Sequence, residues 1–192
     1  MWDSPLSAHG YMHFQWGVVI AVSLVAAATD WHSRRIPNVL TVPVLVAGLA
    51  WALFVAGGAG LLEALAGVVL MGFPFVLLFV YAGGGAGDAK LMGALGAWLG
   101  VSQGLLALVA VLAAGVVFGL AMAAGKRQLR GTLSRLWEGI HSLFVMVSFR
   151  LVPKPGTGTP PPVQPGQVTM PYGIPICAGV CLAAARIFLW TA

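Results

Sequence analysis

Long apolar stretches dominate this chain, and they restrict it to folds that use lipid as their solvent. A helix needs about 20 predominantly apolar residues to cross a bilayer. Hydrophobic residues make up 59% of the chain and charged residues only 8%, a composition typical of membrane proteins. The sequence therefore predicts an all-α, polytopic membrane protein, a six-helix transmembrane bundle. The predicted spans lie at about 13–30, 39–57, 61–82, 89–101, 104–124 and 173–190.

A glycine-rich break precedes the short fourth span. Residues 83–87 contain four glycines, which adopt backbone angles closed to other residues. Non-helical backbone at membrane depth is tolerated only where it is buried in protein or lines a wet cavity. The break therefore predicts a water-accessible pocket inside the bundle.

Basic residues fall almost entirely on one side of the predicted bundle. With six spans, the loops at 31–38, 83–90 and 125–172 share a side and hold nine of the ten Lys and Arg residues. The positive-inside rule makes this side cytoplasmic and places both termini outside. Arg186 is the exception, near the outer end of the last span. The net charge of +5 therefore reports topology and contact with anionic membrane lipids, and we expect no nucleic-acid partner.

The chain is predicted to form a single integral-membrane domain over residues 1–192. A basic and Pro/Gly-rich cytoplasmic loop occupies about 125–172, and residues 126–152 within it fit either an interfacial helix or a re-entrant segment. The first span lacks a basic leader and a small-residue cleavage site. We therefore interpret it as a retained helix and not as a cleaved signal peptide.

Two of the five acidic residues stand at the cytoplasmic ends of apolar segments. Asp30 closes the first span in "AAATDWHSRRIPN", and Asp88 follows the glycines in "YAGGGAGDAKL". An ionisable residue at membrane depth is costly and is by default a functional candidate. The predicted topology places both carboxylates on the same side at similar depth.

Two carboxylates in one pocket would repel each other and titrate as a coupled pair. One would hold a proton near neutral pH while the other stayed ionised. This division suits peptide hydrolysis, since the ionised member takes a proton from water and the protonated member polarises the scissile carbonyl.

Three further roles for these residues stay open. Asp30 alone fits a boundary pair with Arg34 one turn later, and both aspartates fit a proton relay in a small proton-coupled transporter or channel. A third possibility, a structural subunit of a membrane complex, would need neither carboxylate. Lys90 is expected to point away from Asp88 and to contact lipid headgroups.

Metal and cofactor chemistry have little support in the sequence. Cys177 and Cys181 lie one helical turn apart. Two cysteines are too few for a tetrahedral zinc site, and we interpret them as packing residues. The four histidines are scattered. We expect neither a metal nor another cofactor.

Three segments resemble the type IV prepilin peptidase family of GxGD intramembrane aspartyl proteases. "GAGD" within "GAGDAKLMGALGAWLG" resembles the GxGD signature, "TDWHSRRIPN" resembles the segment of the first aspartate, and "MPYGIPICAG" resembles the Pro-Tyr-Gly that opens the last helix. The segments occur in family order from the first span to the last.

This resemblance implies an aspartic endopeptidase with Asp30 and Asp88 as catalytic residues. It implies a substrate-binding or supporting role for matching positions around them. These positions are Gly85, Gly87, Lys90, Pro37, Asn38, Pro171, Tyr172 and Gly173. Pro37 and Asn38 are expected to start the second helix, and Tyr172 fits either an interfacial aromatic or a wall of the substrate groove.

Within that family the chain resembles the small members associated with tight-adherence (Flp) pili. Larger members carry paired Cys-x-x-Cys motifs and also methylate the new N-terminus, and this sequence has no such motif. The resemblance therefore implies leader removal from a prepilin or pseudopilin at the cytoplasmic face of a bacterial inner membrane. It implies no methyltransferase activity.

Overall fold

The structure is a computed structural model that describes residues 5–33, 36–82, 85–125 and 172–191. Every regular element in these ranges is a helix, so the predicted all-α class is confirmed for them. The helices are α1 (Pro5–Ser33), α2 (Asn38–Ala82), α3 (Ala86–Gly125) and α4 (Gly173–Thr191). The predicted basic and Pro/Gly-rich loop, from residue 126 to residue 171, lies outside the described residues.

Three of the helices are long and apolar enough to cross a membrane. The qualifying segments are Tyr11–Ser33, Asn38–Val80 and Ala86–Met122, and α4 contributes a shorter apolar segment, Gly173–Leu189. The described ranges thus form four helices, and the predicted count of six is not confirmed. Two of these helices contain internal breaks that bear on the count.

The first break divides α2 near its middle. Ala56 and Gly57 have non-helical backbone angles, and Gly57 has a φ of 61°, in the left-handed region that favours glycine. A Cβ on Gly60 would collide with the carbonyl oxygen of Ala52. Eight residues of straight helix would separate these positions by about 12 Å, so the chain folds back on itself here. The turn lies between the spans predicted at 39–57 and 61–82.

The second break divides α3 at Gly100, whose φ is 66°. It lies where the sequence predicts the end of the short fourth span. A Cβ on Gly100 would approach the Glu63 carboxylate oxygen Oε1 to 3.1 Å. Gly100 therefore permits both the turn and the close passage of α2.

Glycines also let α2 and α3 pack closely. A Cβ on Gly67 would collide with the carbonyl oxygen of Gly96, and one on Gly72 would lie 3.4 Å from the Cα of Gly93. Since the contacts pair later residues of α2 with earlier residues of α3, the two segments run antiparallel. Small residues at such crossings bring helix backbones into van der Waals contact, which stabilises helix association in membranes.

The core lies where the four helices converge, since each of them contributes buried apolar residues. Trp16 is fully buried, and its Nε1 donates a hydrogen bond of 2.8 Å to Oε1 of Gln103. Gly179 of α4 packs against the backbone of Val111 in α3. Fully buried or nearly fully buried core residues include Val19, Met71, Leu91, Met92, Leu95, Ile176 and Val180.

Candidate active site

Asp30 lies near the end of α1 and is buried, with 7% of its surface exposed. Its Oδ2 accepts a hydrogen bond of 2.8 Å from the backbone N–H of Gly173. Gly173 is the first residue of α4, where backbone N–H groups have no partner within the helix. The Asp30 carboxylate therefore caps α4 and joins the ends of two helices.

Gly173 can approach Asp30 because it has no side chain. A Cβ at position 173 would lie 2.9 Å from the Cβ of Asp30 and 3.1 Å from the Cα of Ala27. Such distances are shorter than ordinary van der Waals contact, and the second neighbour is backbone that cannot rotate away. The Pro-Tyr-Gly segment thus supplies the one residue type that fits against α1 here.

Asp88 lies in the first turn of α3 and is also buried, with 8% of its surface exposed. Its backbone N–H donates a hydrogen bond of 3.2 Å to the carbonyl of Gly85, the non-helical residue before α3. A Cβ on Gly85 would lie 2.6 Å from the Asp88 Oδ2. The carboxylate therefore folds back over Gly85, and a side chain at that position would displace it.

The structure brings the two aspartates together. Asp30 and Asp88 are close enough for their charges to interact, although 58 positions separate them in the sequence. Tyr172 belongs to the same group, since burial, and then the negative charge of Asp88, raises the pKa of its phenol. The phenol therefore stays protonated at neutral pH and can donate a hydrogen bond.

The segment between α1 and α2 closes one side of the group. A Cβ on Gly87 would lie 3.1 Å from the Cβ of Ile36, so Gly87 lets this segment pack against the first turn of α3. The Pro37 carbonyl accepts hydrogen bonds from the backbone of Leu40 at 3.0 Å and Thr41 at 3.4 Å. Helix α2 begins at Asn38, as the Pro-Asn pair predicts.

Lys90 also contacts the start of α2. Its Nζ donates a hydrogen bond of 3.0 Å to Oδ1 of Asn38, which does not cap its own helix with that atom. Lys90 is exposed, so headgroup contact stays open to it. The bond links the helix that carries Asp88 to the helix that follows Asp30.

Pro171 and Arg34 lie outside the described ranges. Pro171 precedes the described start at Tyr172, and Arg34 falls between α1 and α2. The pairing of Arg34 with Asp30 is therefore untested.

The sequence alone did not single out Ile36 or Ala27, whose roles depend on contacts between distant segments.

Within the described ranges, no group of three or more His, Cys, Asp or Glu side chains could hold a metal ion. Cys177 is partly buried and Cys181 is exposed. The chemistry that the site itself offers is therefore that of two buried carboxylates beside a phenol. The expectation that no metal takes part stays a prediction.

Comparison with known proteins identifies the family. A profile of the type IV leader peptidase family matches residues 17–120, which include both aspartates and more than half of the chain. The chain belongs to the type IV leader peptidase family.

Several curated relatives carry the name prepilin leader peptidase/N-methyltransferase. The relative from Burkholderia pseudomallei strain 1026b is 38% identical over 107 residues, which are 50% of this chain and 35% of the relative. The relative from Aeromonas salmonicida strain A449 is 34% identical over 118 residues, which are 56% of this chain and 40% of the relative. The relative from Dickeya chrysanthemi is 34% identical over 149 residues, 74% of this chain and 46% of its own length. The chain thus spans less than half of these relatives. No solved structure shows significant similarity to it.

Proposed function

We propose that this protein is an intramembrane aspartyl endopeptidase that removes the basic leader of type IV prepilins or pseudopilins, with Asp30 and Asp88 as its catalytic pair. The observation that carries the proposal is the meeting of these two buried carboxylates within the part of the chain that matches the family. The name of the relatives supports the substrate class. Of the two activities in that name, leader removal is the one for which the two aspartates supply a chemical basis.

The proposed reaction is general acid–base hydrolysis. One carboxylate takes a proton from water, whose oxygen forms a bond to the scissile carbonyl carbon. The other donates a proton to the carbonyl oxygen, which stabilises the tetrahedral intermediate. When the C–N bond breaks, the leaving amine takes up the proton that the first carboxylate received from water. One hydroxyl of the intermediate returns its proton to the second carboxylate as the C=O bond of the product acid forms, so both original protonation states are restored.

Gly173 fixes one of the catalytic groups in this mechanism. Its N–H donates a hydrogen bond to Oδ2 of Asp30, and we propose that Oδ1, which does not accept this bond, acts on water or substrate. A hydrogen bond that holds a catalytic carboxylate in one orientation lowers the cost of reaching the reactive geometry. We propose that Tyr172, which is protonated beside Asp88, contacts the substrate at the same end of α4.

The proposed location is a bacterial inner membrane, with six spans and the active site at the cytoplasmic face. The breaks at Gly57 and Gly100 support six spans, since each divides a long helix near a predicted turn. With six spans, the loops on the side of the aspartates would hold nine of the ten Lys and Arg residues. Single cysteines introduced at Arg130 and Gly58 after removal of Cys177 and Cys181 should react from opposite sides of the membrane. Reaction from the same side would contradict this topology.

The proposal covers leader removal alone. We expect the protein to act in a tight-adherence pilus system. A direct test incubates the purified protein with a prepilin that carries a short basic leader and sequences the N-terminus of the product. We expect one cut, just before the hydrophobic helix of the substrate. Cleavage at scattered positions, or none in a correctly folded preparation, would contradict the proposal.

A methyl donor added to the same reaction tests the second activity in the relatives' name. We expect the new N-terminus to stay unmethylated. Methylation of the product by the purified protein would show that the expectation of a peptidase alone is wrong.

A further inference from the structure

A cleft of about 520 Å³ opens between the second half of α3 and the second half of α4, away from the aspartates. Its size falls within the range of about 300–1,000 Å³ that is common for ligand sites. The walls are mainly apolar, with Leu105, Val109 and Leu182 among them, and these three side chains are about half exposed or more.

The polar groups of the cleft lie at one end. Ser102 and Arg186 line it together with the apolar residues. Arg186 follows Gly173 by 13 residues of α4, which correspond to about 20 Å of helix. Ser102 lies just beyond the break at Gly100, and the 12 residues from Asp88 to Gly100 correspond to about 18 Å. Both side chains therefore lie toward the end of the bundle opposite the aspartates.

Close helix packing lies beside the part of the cleft that is nearer the aspartates. Gly179 packs against the backbone of Val111, so α3 and α4 are in direct contact at that level. An occupant would have its polar part at the far surface of the bundle and its apolar part directed toward the middle. A substrate helix would have to continue past this contact to reach the aspartates.

Arg186 has no ion-pair or hydrogen-bond partner within the described ranges. It and Lys90 are the two Lys or Arg residues in those ranges, and Lys90 lies at the end of the aspartates. A guanidinium binds phosphate through two parallel hydrogen bonds and is weakly hydrated, which suits it to such contacts at a lipid interface. The charge of the cleft is therefore complementary to an anionic headgroup.

We propose that this cleft is a binding site for an anionic phospholipid of the leaflet opposite the aspartates. Arg186 holds the headgroup phosphate, Ser102 adds a hydroxyl beside it, and an acyl chain lies between Leu105, Val109 and Leu182. This order of polar and apolar groups matches a lipid whose headgroup stays at the membrane surface. The proposal concerns a separate site, so it stands or falls independently of the peptidase function.

Native mass spectrometry of the purified full-length protein tests the proposal with phosphatidylglycerol and phosphatidylcholine as probes. For the wild type we expect retention of phosphatidylglycerol to exceed that of phosphatidylcholine at least five-fold. Arg186→Gln should bring the two lipids to equal retention, because it removes the charge and keeps a polar side chain. Inorganic phosphate at millimolar concentration should not displace the lipid, since the acyl chain contributes to binding.

A second variant tests the apolar part of the cleft. Ala110→Phe fills the cleft while Arg186 stays in place, and it should lower retention of both lipids at least five-fold. Ala66→Phe is the matched control, since Ala66 is an exposed alanine of α2 that does not line the cleft, and it should leave retention unchanged.

The results of these measurements distinguish a phospholipid from a free anion and from a substrate helix in the cleft. Equal retention of both lipids by the wild type, or an unchanged preference in Arg186→Gln, would overturn the proposal. Displacement of lipid by phosphate alone would show an anion site without an acyl-chain site. Displacement by a prepilin transmembrane peptide, with loss of cleavage in Ala110→Phe, would assign the cleft to substrate instead. Cleavage activity is measured alongside, so failure of lipid binding and failure of the peptidase proposal are distinguishable.

Discussion

The backbone N–H of Gly173 donates a hydrogen bond to the Asp30 carboxylate across 143 positions of sequence. This bond joins the end of α1 to the start of α4, so the last helix of the chain holds the first aspartate in place. Asp88, in the first turn of α3, lies close enough to Asp30 for their charges to interact. The site therefore depends on three helix ends, and substitutions at the contacts between them can be separated from substitutions of the carboxylates.

Gly173→Ala should impair catalysis while the chain still folds. The new methyl group would displace Asp30 or α4, because it would lie about 2.9 Å from the Asp30 Cβ. We expect kcat to fall at least ten-fold with a smaller change in KM, as a misplaced catalytic group predicts.

Two controls accompany Gly173→Ala. Gly17→Ala adds a methyl group where nothing lies within 4 Å and should leave kcat unchanged. Gly179→Ala disturbs the packing of α4 against α3 without touching Asp30. If Gly179→Ala lowered kcat as much as Gly173→Ala, general displacement of α4 would account for the loss, and Gly173 would have no specific role.

Tyr172→Phe should leave the shape of the pH–rate profile unchanged. Burial and the Asp88 charge raise the phenol pKa, which moves its ionisation above the usual value of about 10. The phenol is then neutral across the pH range from about 5 to 9, so its loss removes no titration step there. Disappearance of the alkaline limb in Tyr172→Phe would contradict this.

Tyr172→Ala tests the wall of the substrate groove separately. We expect it to raise KM for a prepilin, since the ring as well as the hydroxyl is removed. Unchanged cleavage kinetics in Tyr172→Ala would remove Tyr172 from the groove and leave it as an interfacial aromatic residue.

The bond from Lys90 to Asn38 should contribute little to stability. It is exposed, and a hydrogen bond of this kind stabilises by about 0.5–1.5 kcal/mol. Lys90→Met and Asn38→Ala should each lower stability by about 1 kcal/mol or less, and the double variant should be no less stable than the worse single variant. Thermal unfolding in detergent measures the stability of the two single variants and the double variant. Additive losses would show that the bond does not couple the two residues.

Much of the helical arrangement follows from the sequence for physical reasons. Runs of apolar residues near bilayer length predict helices, and the predicted gaps between spans fall close to the breaks at Gly57 and Gly100, which adopt positive φ angles. Pro37 disfavours helix at the residue before it, which separates α1 from α2. These features depend on neighbours in the chain.

Contacts between distant segments are not predictable in the same way. The sequence marks Gly173 as part of a motif, but its hydrogen bond to Asp30 depends on how α4 packs against α1. The sequence predicts headgroup contact for Lys90, and its bond to Asn38 arises because the starts of α2 and α3 lie side by side. The crossing of Gly67 and Gly96 likewise required the structure, since several glycines in this chain have no such neighbour.

Gly96→Ala should destabilise the protein through that crossing. A Cβ on Gly96 would collide with the carbonyl of Gly67, and overpacking of this kind costs about 1–3 kcal/mol. Gly115→Ala is the matched control, since a Cβ there meets nothing within 4 Å. We expect a lower melting temperature for Gly96→Ala alone. Equal melting temperatures for the two variants would contradict the close packing of α2 and α3.

The central claim is that Asp30 and Asp88 act as one catalytic unit, and cleavage of a prepilin by aspartate variants tests it most directly. Asp30→Asn and Asp88→Asn keep the side-chain shape but cannot exchange the proton, so each should abolish cleavage while folding is retained. The double variant should be little worse than either, because residues that act as a unit are strongly non-additive. Wild-type cleavage should follow a bell-shaped pH profile and persist with a chelator present. Retained turnover in a folded Asp30→Asn variant, or loss of wild-type turnover on chelation, would contradict the two-aspartate mechanism.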